Sequence, residues 1–229
     1  QNSRETLRAQ LLAREQNASS ERTRTLQAEL TAIGKRLPEL DRLIQAAYED
    51  KVLGRIPESV CINLLNQYEA ERREKQERSR ELMEQLAASR ALVDFSQGLD
   101  IRLITRDNVA LLNQVRTKTV HFAWDNPDED LTRYFRQFLE WTSIKNPRLR
   151  RVYLLTNYGS THEQDLYRVE TLRQMGFDPY VMIYEKPTAP PITRHLQRWV
   201  NNKRLFYAIP SFSDYDPVKK LLGGGMETR

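Results

Sequence analysis

The stretch VDFSQGLDIRLIT, residues 93–105, marks the point where the hydrophobic pattern of this chain changes. Before it lies a long segment rich in Glu and Arg, and after it apolar runs typical of strands alternate with helical patterns. Only two aromatic residues, Tyr48 and Tyr68, precede residue 93. Because large rings supply much of a thick core, we predict a helical part over 1–92, an α/β part over 93–210 and a flexible tail over 211–229.

The charge and cysteine content exclude several classes of protein. The formal net charge is +5, without a dense block of Lys or Arg, which does not by itself indicate binding to nucleic acid. Cys61 is the only cysteine, so an internal disulfide and a cluster held by several thiolates of this chain are excluded. No apolar run approaches the roughly 20 residues of a membrane span, and the polar start is unlike a signal peptide. We therefore expect a cytoplasmic protein without a membrane partner.

The pattern before residue 93 predicts a long antiparallel helical hairpin, a coiled coil. Its first helix is expected to begin near Ser19 and Ser20 and to kink or restart at Pro38. Gly54 and Pro57 separate it from a second helix that runs to about Arg90. The apolar positions of the first helix recur at steps of three and four residues. They are Leu26, Leu30, Ile33, Leu37, Leu40, Ile44 and Ala47.

The outer part of this hairpin has polar residues at positions where a coiled coil needs apolar ones. Glu71, Lys75 and Arg78 fall on the expected seam of the second helix. The stem is therefore expected to be weakly packed or to bind a partner, either a second copy of the chain or another helix. We expect this association to be lost on Leu40→Glu.

The pattern after residue 93 predicts about four strand–helix units. Strands are expected over LDIRLI, KTVHFAW, RRVYLLTNY and DPYVMIYEK, each followed by a helix. Two overlapping capping boxes, Ser160 with Glu163 and Thr161 with Gln164, are expected to begin the third of these helices. Alternating strands and helices indicate a parallel sheet, either open or part of a (β/α) barrel.

The carboxyl ends of parallel strands are where such folds gather their functional residues. Asp100, Arg102, Asp125 and Asn157 fall at these ends and are the candidate rim of a cavity. Each could also be an ordinary turn or capping residue. They include no pair of nucleophile and base, so we assign no catalytic residue, and we assign no metal ligand.

The helical part resembles the coiled-coil arm of large serine recombinases. The resemblance covers about residues 20–90 and rests on the phrases LDRLIQ, YEDKVLGRI and QYEAER. In that family the arm follows a zinc-binding DNA-recognition domain and contributes to contacts between DNA-bound subunits. The resemblance implies self-association or a partner helix, a role in DNA recombination and only indirect contact with nucleic acid. A catalytic serine domain and a zinc-binding set of cysteines are absent from this sequence.

The α/β part resembles the carboxyl-terminal half of a radical S-adenosylmethionine (radical SAM) protein. The resemblance covers nearly all of residues 94–207 and rests on QGLDIRLIT, HFAWDNP, DPYVMIYEKP and LQRWVNN. It implies a partial (β/α) barrel that, in the complete family, binds S-adenosylmethionine and a 4Fe-4S cluster. The cluster is held there by a CxxxCxxC motif, which this sequence lacks. We therefore expect this chain alone to bind no cofactor.

Three functional hypotheses follow from the two resemblances. The chain is an enzyme fragment that needs a cluster-bearing half from elsewhere, an interaction module acting through its arm, or a fusion of the two without catalytic activity of its own. Whether it is an enzyme stays open on these grounds. Strand 93–104 lacks the neighbour that precedes it in a barrel, so we expect its edge to be covered by the arm or by a second copy.

Overall fold

The structure, a computed structural model, describes residues 2–217, and the side chains of residues 18, 20–96 and 98–217 within that range. The described chain forms two compact units. Unit 1 comprises residues 2–121 together with Gln137–Lys145, and unit 2 comprises Phe122–Arg136 together with residues 146–217. The division predicted at residues 92 and 93 stays a prediction, and most of the predicted tail lies outside the described residues.

Unit 1 begins with two long helices, α1 (Asn2–Val52) and α2 (Glu58–Ser89). The expected start of the first helix near Ser19 is wrong, because α1 continues through this region and also through Pro38. A proline inside a helix lacks the N–H that would bond the carbonyl four residues earlier, which here belongs to Gly34. None of the helices formed by residues 2–217 is long and apolar enough to cross a membrane.

The two helices pair along a seam of buried apolar residues and ion pairs. The Arg36 guanidinium donates to both carboxylate oxygens of Glu71 at 2.7 and 2.9 Å, and Arg78 does the same to Glu29 at 2.6 and 3.1 Å. These hydrogen bonds hold the pKa of Glu71 and of Glu29 below its ordinary value. Of the three polar residues on the expected seam, Glu71 and Arg78 thus pair across the two helices, while Lys75 lies near Glu74 on its own helix. The buried apolar members are Leu26, Ile33, Leu40, Ala47, Cys61, Leu82, Met83 and Leu86.

After α2 the chain enters β1 (Val93–Leu99), a short 3-10 turn at Ile101–Leu103, α3 (Arg106–Leu112) and β2 (Thr117–Ala123). The strand predicted over residues 99–104 therefore lies about six residues earlier. The reason is local, because the Asp100 carboxylate accepts the Arg102 backbone N–H at 3.0 Å and begins the turn.

The edge of β1 is covered by the arm at one position within unit 1. Val93 donates its N–H to Arg116 just before β2, so the carbonyl of the next residue, Asp94, points to the other side of the strand. The Gln27 side chain of α1 donates to this carbonyl at 2.7 Å. A helical side chain thus takes a position that a further strand would otherwise fill.

The remaining elements are α4 (Thr132–Trp141), β3 (Arg150–Thr156), α5 (His162–Gln174), β4 (Asp178–Ile183), α6 (Pro191–Asn201) and α7 (Lys203–Ala208). Short 3-10 turns lie at Pro147–Leu149 and Phe212–Asp214. The four strands form a parallel sheet in the order β1-β2-β3-β4. The fold is therefore mixed α/β, as the alternating pattern predicts.

In unit 2 the two faces of β3 and β4 differ in burial. In the register, Val152 lies opposite Pro179 and Leu154 opposite Val181, and all four side chains are buried. Their neighbours along the strands, which point to the opposite face, are half-buried or exposed apart from Asp178, which is buried. Helices α5 and α6 contribute further buried side chains to the core of unit 2, which also holds an aromatic cluster around Phe135. These residues are Phe122, Trp124, Phe135, Val169, Leu172, Phe177, Leu196 and Trp199.

The outer edge of β4 is closed by side chains from the helices that follow it. Asn201 accepts the Val181 N–H at 2.9 Å, and both Asn201 and Gln197 donate to the Val181 carbonyl, at 2.9 and 3.1 Å. Two residues earlier Pro179 has no N–H to offer, and its carbonyl accepts from Lys203 at 2.7 Å. A further strand cannot pair with β4 at these residues, because their backbone groups are already bonded.

Candidate functional site at the strand ends

Asp100 and Arg102 form a local ion pair in unit 1, directly after β1. The Arg102 guanidinium donates to the two carboxylate oxygens at 2.9 and 2.8 Å. Partial burial raises the pKa of Asp100, but the hydrogen bonds from the side chain and backbone of Arg102 outweigh this effect and leave the pKa below its ordinary value. Both predicted rim residues are thus engaged with each other, and the pair caps a 3-10 turn.

Asp125 extends the hydrogen bonding of the sheet beyond the end of β2. The Trp124 N–H donates to the Tyr153 carbonyl at 2.8 Å, as in a strand. At the next position of this ladder, the Leu155 N–H donates to Oδ1 of the Asp125 carboxylate at 3.0 Å. The side chain of Asp125 is therefore oriented by the backbone of β3, although the residue is exposed.

Asn157 joins the ends of β3 and β4. Its backbone is left-handed, with φ at +62°, and its side-chain amide donates to the Tyr184 carbonyl at 2.9 Å. Glu185, just past the end of β4, is also left-handed, with φ at +46°. A non-glycine residue in this region costs on the order of 1 kcal/mol, and such residues cluster at functional sites. Two adjacent strand ends of unit 2 carry this strain.

Asp125 and Asn157 are therefore neighbours on adjacent strands of unit 2, each held by a backbone group of the next strand. Asp100 and Arg102 belong to unit 1. The four predicted residues thus form two local pairs, and we define the strand-end rim of unit 2 by Asp125, Asn157 and Glu185.

Sequence reasoning missed Arg168, whose side chain bonds the backbone at the ends of two neighbouring strands. Its side chain is 1% exposed and donates to the carbonyls of Trp124 at 2.6 Å, of Asp125 at 3.1 Å and of Leu155 at 3.0 Å. It also donates to the buried Asp165 carboxylate at 2.5 Å. A signal was present, because Asp165 and Arg168 share the helical spacing of the buried Val169 and Leu172. Charged residues on an apolar helix face need a buried partner, and here the partners are the strand ends.

Two buried polar atoms near the start of α5 have no hydrogen-bond partner among the described residues, Ser160 Oγ in the loop before the helix and His162 Nδ1 in its first residue. Of the two predicted capping boxes only that of Thr161 and Gln164 forms, with bonds of 3.3 and 2.9 Å, so the cap does not involve the Ser160 hydroxyl. Buried polar groups in proteins are bonded as a rule. These two atoms are exceptions to that rule among the described residues.

The described residues do not fit an iron–sulfur cluster. Cys61 is buried between α1 and α2, where its thiol lies 3.5 Å from the Ala47 carbonyl. Within the described part of the chain no three His, Cys, Asp or Glu side chains come together in a way that could hold a metal ion. The cluster chemistry implied by the radical SAM resemblance therefore has no ligands here.

The strand-end rim offers acceptor oxygens of the kind that S-adenosylmethionine, the cosubstrate implied by the resemblance, would need. The cosubstrate carries an ammonium group and ribose hydroxyls, which need acceptor oxygens. Asp125 uses one carboxylate oxygen toward Leu155, and Asn157 uses its amide nitrogen toward Tyr184. The second Asp125 oxygen and the Asn157 amide oxygen are acceptors in addition to these bonds.

Comparison of the chain with known protein families, with curated proteins and with solved structures returned no match.

Proposed function

We propose that residues 93–210 act as the carboxyl-terminal half of a radical SAM-like protein that binds its cosubstrate at the strand-end rim and has no catalytic activity in this chain alone. The observation that carries the proposal is the construction of the rim. Two left-handed residues, Asn157 and Glu185, and the backbone-bonded Asp125 lie at adjacent strand ends that Arg168 ties together.

The sequence alone led us to expect no bound cofactor, but the acceptor oxygens of the rim lead us to expect weak binding of S-adenosylmethionine. Asn157→Gly is expected to weaken this binding about tenfold or more, the usual effect of losing one hydrogen bond to a charged group. Glycine keeps the left-handed backbone, so the loop itself should retain its conformation. Isothermal titration calorimetry measures the effect, with the exposed Tyr167→Phe on α5 as the control.

Two results would count against this proposal. One is the absence of binding at millimolar cosubstrate, and the other is equal binding by wild type and Asn157→Gly. Anaerobic reconstitution with ferrous iron and sulfide tests whether this chain alone lacks the cluster that catalysis would need. We expect no brown charge-transfer absorbance from the protein after desalting.

A second function, self-association through the arm, is favoured by the exposed apolar residues at its tip. The arm tip comprises Tyr48, Val52, Leu53, Val60 and Ile62, of which Val52 is 82% and Leu53 61% exposed. Contiguous exposed apolar patches on soluble proteins mark interaction sites. The exposed ion pair of Asp50 with Arg55, 3.1 Å apart, lies beside them and can re-form between two copies. We propose a second copy of this chain as the partner, in line with the recombinase resemblance.

Leu53→Glu is expected to weaken association through the arm tip at least tenfold, because it places a charge in the centre of an apolar contact. Sedimentation velocity over a concentration series measures the effect. Glu39→Gln, at an exposed position of α1 far from the tip, is the matched control. If Leu53→Glu sediments like the wild type at every concentration, the arm tip is not an interface.

A further inference from the structure

One face of unit 2 is apolar, aromatic and uncovered. We define the open face as the side chains of Arg151, Tyr153 and Leu155 on β3 with Tyr180, Met182 and Tyr184 on and just after β4. Tyr180 is 36%, Met182 38% and Tyr184 43% exposed. Parallel sheets are found almost only with both faces covered, because their strands are built to be buried. In unit 2 the helices bury one face, whereas on this face the side chains of β4 are exposed and those of β3 are half-buried.

The composition of the open face matches that of protein interfaces. Tyr, Met and Arg are enriched at such interfaces, and Lys and Glu are depleted from their centres. The rings of Tyr153 and Tyr180 meet edge to face, with centroids 5.7 Å apart, and the Arg151 guanidinium lies over Tyr180 at 5.8 Å. Aromatic side chains that are already ordered by their neighbours lose little entropy when a partner packs on them.

The two ends of the open face carry opposite charge. At the amino end of the strands, Arg151 and Lys203 share one buried carboxylate, Asp178, at 2.9 and 2.6 Å, which leaves one net positive charge. At the carboxyl end, the exposed Glu185 and Asp125 outnumber the single cation Lys186. The face is thus complementary to itself when the strands of two copies run in opposite directions, because each positive end then meets a negative end.

From these observations we propose that the open face binds the open face of a second copy of this chain, with the strands of the two copies antiparallel. In this packing Met182 of one copy lies near Tyr180 of the other. The inference does not depend on cosubstrate binding or on the arm tip. Because the face is only about 20 Å long, it is smaller than the interfaces of tight complexes, so we expect association at tens to hundreds of micromolar.

The test uses the full chain carrying Leu53→Glu, so that association through the arm tip does not contribute. Sedimentation velocity up to about 1 mM should show a monomer–dimer equilibrium, and Met182→Glu and Tyr180→Lys should each shift it at least tenfold toward monomer. Met182 is 38% exposed, so thermal unfolding of Met182→Glu should be nearly unchanged, whereas Tyr180→Lys also loses the ring contacts with Tyr153 and Arg151 and should unfold at a somewhat lower temperature. Met182→Gln provides an uncharged variant should the charged one fold poorly. Tyr167→Glu, on the exposed side of α5, is the control and should leave the dimer intact.

Mixing the two variants tests the antiparallel arrangement itself. A heterodimer of Met182→Glu with Tyr180→Lys brings the new Glu and the new Lys together, so the mixture should dimerise more strongly than either variant alone. A wild-type face that stays monomeric, a Met182→Glu variant that dimerises normally, or a mixture that is no stronger than its components would each overturn the proposal. If the wild-type face stays monomeric, a different protein would be the partner that binds the open face.

Discussion

Replacing Arg168 with methionine is expected to lower the free energy of unfolding by about 3–5 kcal/mol, the usual cost of removing one partner from a buried ion pair. The change leaves the Asp165 carboxylate, 2% exposed, without its cation. It also removes the donor from three strand-end carbonyls, those of Trp124, Asp125 and Leu155. Urea denaturation followed by fluorescence measures the loss.

The double variant Arg168→Met with Asp165→Leu separates the two causes. If the stranded carboxylate dominates, the double variant should be more stable than Arg168→Met alone, because apolar replacement of both partners leaves no unpaired charge. If the carbonyls dominate, the two should be equally unstable. Arg194→Met, at an exposed position of α6, is the matched control. A loss below about 1 kcal/mol for Arg168→Met would contradict the role assigned to this side chain.

Leu40→Glu is expected to disrupt the helix pair of unit 1, with a loss of about 3 kcal/mol or more. Leu40 is fully buried between α1 and α2, and a carboxylate placed there is removed from water, which is costly for a charged group. Far-UV circular dichroism should show a lower melting temperature and a loss of helix at moderate temperature. A melting curve equal to that of the wild type would show that α1 and α2 do not pair through Leu40.

The expected unfolding of the helix pair on Leu40→Glu changes how association through the arm is tested. Loss of association on Leu40→Glu, as expected from the sequence, would follow from unfolding of the helix pair and would not identify an interface. Leu53→Glu changes an exposed side chain of the same length at the end of the same helix region and should keep the melting temperature. The two variants together distinguish an unfolded arm from a folded arm that no longer associates.

Much of the fold could be predicted because its signals are local. The alternation of strand and helix, the glycine C-cap at Gly176 and the start of α6 at Pro191 depend on residues a few positions apart. Where local signals compete, prediction was less reliable. The strand predicted over residues 99–104 gave way to a turn that the Asp100 side chain begins, and α1 continued through Pro38, where a kink or restart was expected.

At the candidate site, too, the features set by local sequence could be predicted and the others could not. Asp125 and Asn157 follow strands that the pattern predicts, so their place at strand ends could be inferred. Their bonds to the Leu155 N–H and the Tyr184 carbonyl, and the left-handed backbone of Asn157, could not. Those bonds join residues about 30 positions apart, and they depend on the register between strands.

The sequence by itself determined the mixed α/β class, the alternation of strands and helices after residue 93 and the lack of cysteines for a cluster. Only the tertiary structure decided which polar residues have partners. Arg168 became the support of three strand ends, Glu71 and Glu29 found arginines on the other helix, and Asn201 closed the edge of β4. The physical reason is that a buried polar group must be satisfied somewhere, and the three-dimensional packing, not the neighbouring sequence, determines where.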